Sequence, residues 1–207
     1  MNVCRRVLRT VSPKRVREAL PKELKPALGP VLETIAALTT KIRRYDRLIE
    51  KLASERYPET AVLRQVSGVG PVTSLSFVLT VENPARFRRS RKLGAYLGLS
   101  PRSSQSGDVD PELRITKAGD DDLRRLLVGS AQYILGPFGP DTDLRRWGLA
   151  LAARGRKNAK KRAVVAVARK LAVLLHRLWV TAEVYEPLRN SQRQANKLDS
   201  IAQAIPA

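Results

Sequence analysis

The chain has 207 residues, with 39 Lys and Arg against 19 Asp and Glu, for a formal net charge of +20. An excess of that size repels itself unless it meets a polyanion, so nucleic acid is the expected partner. One cysteine, Cys4, excludes an internal disulfide, and one histidine, His176, leaves no zinc constellation.

No apolar run approaches the ~20 residues of a spanning helix, and the basic N-terminus lacks the sustained apolar core of a secretory signal. The expected setting is cytoplasmic and nucleoid-associated, with no membrane partner. Aromatic residues are few, so the core must be aliphatic. The period of the apolar residues predicts a mainly α protein: a long coiled-coil helix, then a compact helical domain with a helix-hairpin-helix-like motif.

Residues 1–30 read as a basic, proline-rich arm. Pro13, Pro21, Pro26 and Pro30 are expected to forbid a long helix there. A short helix capped by Ser12, with Pro13 at its first position, is allowed. Residues 31–57 then show the clearest periodicity of the chain. Val31, Ile35, Leu38, Ile42, Tyr45, Ile49 and Leu52 alternate four and three apart, with charged residues elsewhere on the helix. This heptad seam predicts a linker helix suited to dimerisation, and so a homo-oligomer. An ordinary amphipathic helix lying on its own domain is the alternative.

From Glu59 the pattern changes to a short helix (59–66), a Ser67-Gly68-Val69-Gly70-Pro71 turn and a second helix (72–81). This resembles a helix-hairpin-helix, in which Gly68 and Gly70 let backbone amides approach a phosphate. After Asn83-Pro84, the residues Arg86, Arg88, Arg89, Arg91 and Lys92 form a basic segment expected to face phosphate. A loop follows that carries Ser103, Ser104 and Ser106. It runs through Arg114-Ile115-Thr116-Lys117 into a helix from 121 to 135, with Asp120 placed as its cap.

Hydroxyls among Arg102, Arg114, Lys117, Arg124 and Arg125 suit phosphodiester chemistry: a nucleophile, and cations to take up charge on the attacked phosphate. Further on, Arg154, Arg156, Lys157, Lys160 and Lys161 form a second basic run. It feeds a long helix (163–185) with an apolar stripe of Val164, Val167, Leu171, Leu174, Leu175 and Leu178. His176 beside that stripe reads as a packed or rim histidine rather than a base or ligand. Trp147 and Trp179 read as core or interface anchors. Residues 189–207 are polar and expected to form a disordered tail.

Four runs carry a family resemblance: Leu63 to Gly70; Phe87 to Pro101; Ser106-Gly107 with Arg114 to Asp120 and Leu123 to Val128; and Ala163 to Ala172 followed by Tyr185. In order and spacing they resemble the C-terminal domain of the bridge-RNA-guided, DEDD-type insertion-sequence transposases, which use a serine nucleophile. The resemblance implies that residues 59–188 are a serine recombinase domain acting in DNA transposition. Its serine would attack a DNA phosphodiester and form a phosphoserine link. Ser106, directly before Gly107, matches the family's nucleophile, with Ser104 the next candidate.

The resemblance further implies DNA and a structured guide RNA as partners. It also implies a RuvC-like domain holding acidic residues and divalent metal, absent from this chain, so that no cofactor is expected here and the chain reads as a truncated copy. The family's usual glycine-rich basic stretch after the serine is replaced by Asp108-Val109-Asp110-Pro111-Glu112. The competing readings are a non-catalytic DNA- or RNA-binding module and a regulatory dimerisation fragment.

Overall fold

A computed structural model describes residues 13–102, 113–155 and 158–194. Helices dominate. In chain order they are α1 (Pro13–Ala19), α2 (Lys25–Arg56), α3 (Thr60–Leu63), α4 (Pro71–Val81), α5 (Lys92–Tyr96), α6 (Asp121–Leu135), α7 (Asp143–Ala152) and α8 (Ala159–Thr181). Single 3₁₀ turns sit at Lys22–Leu24 and Pro84–Arg86. The described residues contain no strand, only an isolated antiparallel bridge between Pro101 and Ile115. No helix among them is long and apolar enough to cross a membrane.

The proline-rich arm differs from expectation. The long helix begins at Lys25 and runs through both Pro26 and Pro30. Pro26 lies in the first turn, where a backbone N–H has no helical partner to lose. Pro30 costs one hydrogen bond near the helix start, and the Thr34 hydroxyl donates to its carbonyl at 2.9 Å. Most of the heptad seam is bare: Val31, Ile35, Leu38, Ile42, Tyr45 and Leu52 are each 38–62% exposed. Only the C-terminal end of α2 joins the domain. Ala53 is buried, the Thr60 hydroxyl reaches its carbonyl, and Arg64 pairs with Glu50 at 2.9 Å.

The core is aliphatic, as composition requires. Helix α8 is its axis, packed by α6 and α7. Val167, Leu171, Leu175 and Leu178 are buried, while Val164 and Leu174 lie at the edge. Gly148 lets α7 press onto α8, since a β-carbon there would sit 2.5 Å from Val167. Gly94 does the same for α5 against Arg169.

Phe77 and Trp179 close one end with ring centroids 6.3 Å apart. The Lys170 ammonium lies 3.9 Å from the Trp147 ring centroid. Asp120 caps α6 as expected, accepting from the Leu123 amide. The tail is partly built: residues 189–194 are helical, and Asp143 accepts from the Asn190 and Ser191 amides and the Ser191 hydroxyl.

Candidate nucleic-acid interface

Two backbone stems, 98–102 and 114–118, meet on either side of the serine loop in sequence. The Arg102 amide donates to the Arg114 carbonyl at 2.9 Å, the Thr116 amide to Ser100 at 2.9 Å, and the Lys117 amide to Gly98 at 3.1 Å. Two glycines make this crossing possible. A β-carbon on Gly98 (φ +66°) would lie 2.3 Å from the Ala118 carbonyl oxygen, and one on Gly119 (φ +74°) 2.1 Å from that of Tyr96. Lys117 itself adopts a left-handed φ of +59°. The Thr116 hydroxyl is buried without a hydrogen-bond partner among the described residues. The loop between the stems, with Ser103, Ser104 and Ser106, lies outside the described residues.

Arg124 is not the phosphate-facing cation the sequence suggests. It is 6% exposed. One guanidinium nitrogen donates to the carbonyls of Leu97, at 3.1 Å, and Ala118, at 2.9 Å, and the other donates to Asp121. It ties both stems to the first turn of α6. Arg125 is exposed but ion-paired with Asp121 and Asp122. The Arg124 hydrogen bond, with the charge of Arg125 beside it, holds the Asp121 carboxyl below the usual carboxylate value against the opposing effect of burial. The two arginines that begin α6 are thus largely neutralised by the acids beside them.

The available positive charge lies elsewhere. Arg102, Arg114 and Lys117 on the stems are exposed, as are Arg88, Arg89, Arg91 and Lys92. None of the seven pairs with a carboxylate of the described residues. Arg86 is more constrained. It pairs with Glu82 at 3.4 Å and lies 5.9 and 5.8 Å from the ring centroids of Phe87 and Tyr96. Arg154, Lys160 and Lys161 are also exposed, while Arg156 and Lys157 fall outside the described residues.

The expected short helix, turn and helix are present as α3, 64–70 and α4, but the two glycines have different reasons. Gly68 (φ +90°) backs onto α6. A β-carbon there would meet Tyr133 at 2.9 Å and the Ser130 carbonyl at 3.2 Å. Its lack of a side chain therefore has an internal packing reason of its own. Gly70, at the start of α4, has open space where a β-carbon would go.

Of the packed and rim positions read from sequence, His176 takes the packed one, but its partners were not foreseeable. It is 2% exposed. Nε2 lies 2.9 Å from the Pro84 carbonyl and Nδ1 3.0 Å from the Ser90 hydroxyl. The only chemical signal for this arrangement was that the chain has a single histidine.

A groove of ≈ 260 Å³ runs between α8 and residues 183–190, lined in part by Lys170, Arg177, Glu183 and Tyr185. Burial pushes the Lys170 ammonium pKa down and the Tyr185 phenol up. Glu183 is held by both Arg177 and Arg189, so much of the charge around the groove is internally paired. No three His, Cys, Asp or Glu side chains among the described residues gather to hold a metal ion.

Comparison with known proteins singles out one region above all. Residues 60–142, from α3 to the start of α7, match the transposase family IS116/IS110/IS902. That stretch is similar to the transposases of this family. The chain is similar to the transposase for insertion sequence element IS1111A of Coxiella burnetii, at 37% identity over 124 residues, covering 59% of this chain and 33% of that protein. It is also similar to a probable family 20 transposase of Pseudomonas aeruginosa, at 31% identity over 172 residues, with 81% and 47% covered. The pilin gene-inverting protein of Moraxella lacunata is 25% identical over 115 residues, with 55% and 34% covered. The chain therefore spans a third to a half of the length of these relatives. Both loop stems, the basic segment and the Arg124 tie lie inside the matched transposase region.

Proposed function

We propose that this chain is the serine-bearing part of a DNA-transposing recombinase of the IS116/IS110/IS902 type. Ser106, with Ser104 as the next candidate, attacks a DNA phosphodiester. A serine Oγ–P bond forms, one P–O bond of the DNA breaks, and the freed strand end leaves with the electron pair and takes up, through solvent, the proton that the serine hydroxyl gives up. The bond energy is kept in the phosphoserine link, so no nucleotide cofactor is needed. Arg102, Arg114 and Lys117 take up charge on the attacked phosphate. Arg88, Arg89, Arg91 and Lys92 grip the flanking backbone, and Arg154, Lys160 and Lys161 add to non-specific attraction. Arg124 acts indirectly, by fixing the stems. Pairing along the α2 seam supplies self-assembly, and a structured RNA guide is the second nucleic-acid partner.

The supporting observation is the pinned crossing of two stems that bear exposed cations at the mouth of the serine loop. The test is a nicked suicide DNA substrate incubated with the chain, alone and with a full-length relative. A covalent adduct that disappears in Ser106→Ala is expected. An adduct that survives both Ser106→Ala and Ser104→Ala overturns the assignment.

A second reading, a binding module without chemistry, is favoured by one feature. Asp108, Asp110 and Glu112 lie in the serine loop, where acids repel phosphate. That reading expects salt-sensitive DNA binding with no adduct under any condition.

A further inference from the structure

We infer that His176 is a positioning residue for the basic segment 84–92, the part of the surface assigned above to the DNA backbone; the inference rests on that reading. One imidazole touches this segment at three evenly spaced points. A carbonyl oxygen only accepts, so Nε2 carries a proton and donates it to Pro84 at 2.9 Å. In that tautomer the Ser90 hydroxyl donates to Nδ1 at 3.0 Å. Between them, the Phe87 ring stands edge-on to the imidazole, with centroids 5.9 Å apart and planes at 90°. The two ends and the middle of a seven-residue segment are therefore fixed from one buried side chain on α8. Arg88 and Arg89, within that clasp, and Arg91 and Lys92 just beyond it, remain exposed.

A polar ring in an aliphatic core is costly unless both its nitrogens are satisfied. Leu171, Leu175 and Leu178 nearby show that an apolar side chain would serve packing alone. What the imidazole adds is directional: it holds irregular backbone in one shape. The segment needs this, because from Pro84 to Arg91 it has a single 3₁₀ turn and no longer helix to set its course. A pre-shaped row of cations meets phosphates without first having to order itself, which strengthens binding and leaves the number of phosphates engaged unchanged.

The experiment measures affinity for a mixed-sequence duplex DNA across a salt series, together with amide hydrogen exchange over residues 84–92. The variants are His176→Phe, His176→Gln, Ser90→Ala and Arg88→Ala/Arg89→Ala. His176→Phe should raise exchange in 84–92 and weaken binding about tenfold, the scale of a lost buried hydrogen bond, with the slope of log affinity against log salt retained. His176→Gln, which offers one donor and one acceptor, should recover part of the loss. Ser90→Ala should fall between wild type and His176→Phe.

The double arginine variant should instead flatten the salt slope by about 0.9 for each phosphate no longer neutralised. Unchanged exchange and affinity within twofold in His176→Phe overturn the inference. If that variant fails to fold, the same null result in Ser90→Ala overturns it. An unchanged slope in the double arginine variant removes the DNA reading of this segment, while the exchange data still report whether the imidazole shapes it.

Discussion

Gly98 and Ala118 touch through backbone alone: the position of an absent β-carbon on Gly98 is 2.3 Å from the Ala118 carbonyl oxygen. No side chain at 98 avoids that collision without separating the stems, and the φ of +66° disfavours one as well. Gly98→Ala is expected to cost about 3 kcal/mol in denaturant unfolding, from backbone strain and overlap together. The same variant should lose protection of the Arg102, Thr116 and Lys117 amides, because the crossing that holds them is displaced.

Neighbouring arginines on α6 should behave oppositely. Arg124→Met leaves the Leu97 and Ala118 carbonyls without their donor in a buried place, a loss of about 2–3 kcal/mol. Arg125→Ala removes only exposed ion pairs with Asp121 and Asp122, and should fall within about 0.5 kcal/mol of wild type. Parallel urea titrations of the two variants check the contrast.

Acid should release the C-terminal turn. Burial pushes the Asp143 carboxyl up, but hydrogen bonds from the Ser191 hydroxyl and the Asn190 and Ser191 amides outweigh it, and the net shift is downward. A carboxyl whose folded pKa lies below its unfolded value of about 3.9 contributes fully above that value. The contribution is lost as pH falls through the folded pKa. Protection of residues 188–194 in hydrogen exchange should therefore hold at neutral pH and drop below about pH 4. In Asp143→Ala it should be low at every pH.

The bare seam of α2 predicts concentration-dependent self-association. Leu38→Glu with Ile42→Glu should shift sedimentation toward monomer and leave the melting of the domain unchanged, because both side chains are about half exposed and make no part of its core. Sedimentation that is already monomeric at high concentration in the wild type would remove the seam from any role in self-assembly.

Much of this architecture is legible because local chemistry decides it. Asp120 before an apolar-periodic run is a helix cap by composition alone, and Pro71 suits the first position of α4. The wide apolar stripe of α8 announces the buried axis. The departures have equally physical origins. The charge of Arg124 suggests a surface cation, yet it stands beside Leu123, three residues from Leu127 and seven from Ala131, on the buried face of α6; that spacing is the signal that outranks charge. Pro30 has the chemistry of a helix breaker, yet a missing amide near a helix start removes a single bond.

Gly68 reads in sequence as a phosphate-approach glycine; the room it makes for Tyr133, a partner 65 positions away, is named by no local pattern. The clasp of His176 on Pro84 and Ser90 spans more than 80 residues, beyond the reach of any periodicity.

The hydrogen bond between Arg102 and Arg114 closes the serine-bearing segment at its base. A segment whose ends are already joined adds little to the entropy of folding when it is lengthened or recoded, since loop-closure cost grows only with the logarithm of length. The Arg102–Arg114 bond is therefore a fixed boundary on either side of which sequence changes can be counted separately. Grafting the corresponding stretch of a relative between these two arginines is a way to recode residues 103–112 while keeping both anchoring residues in place.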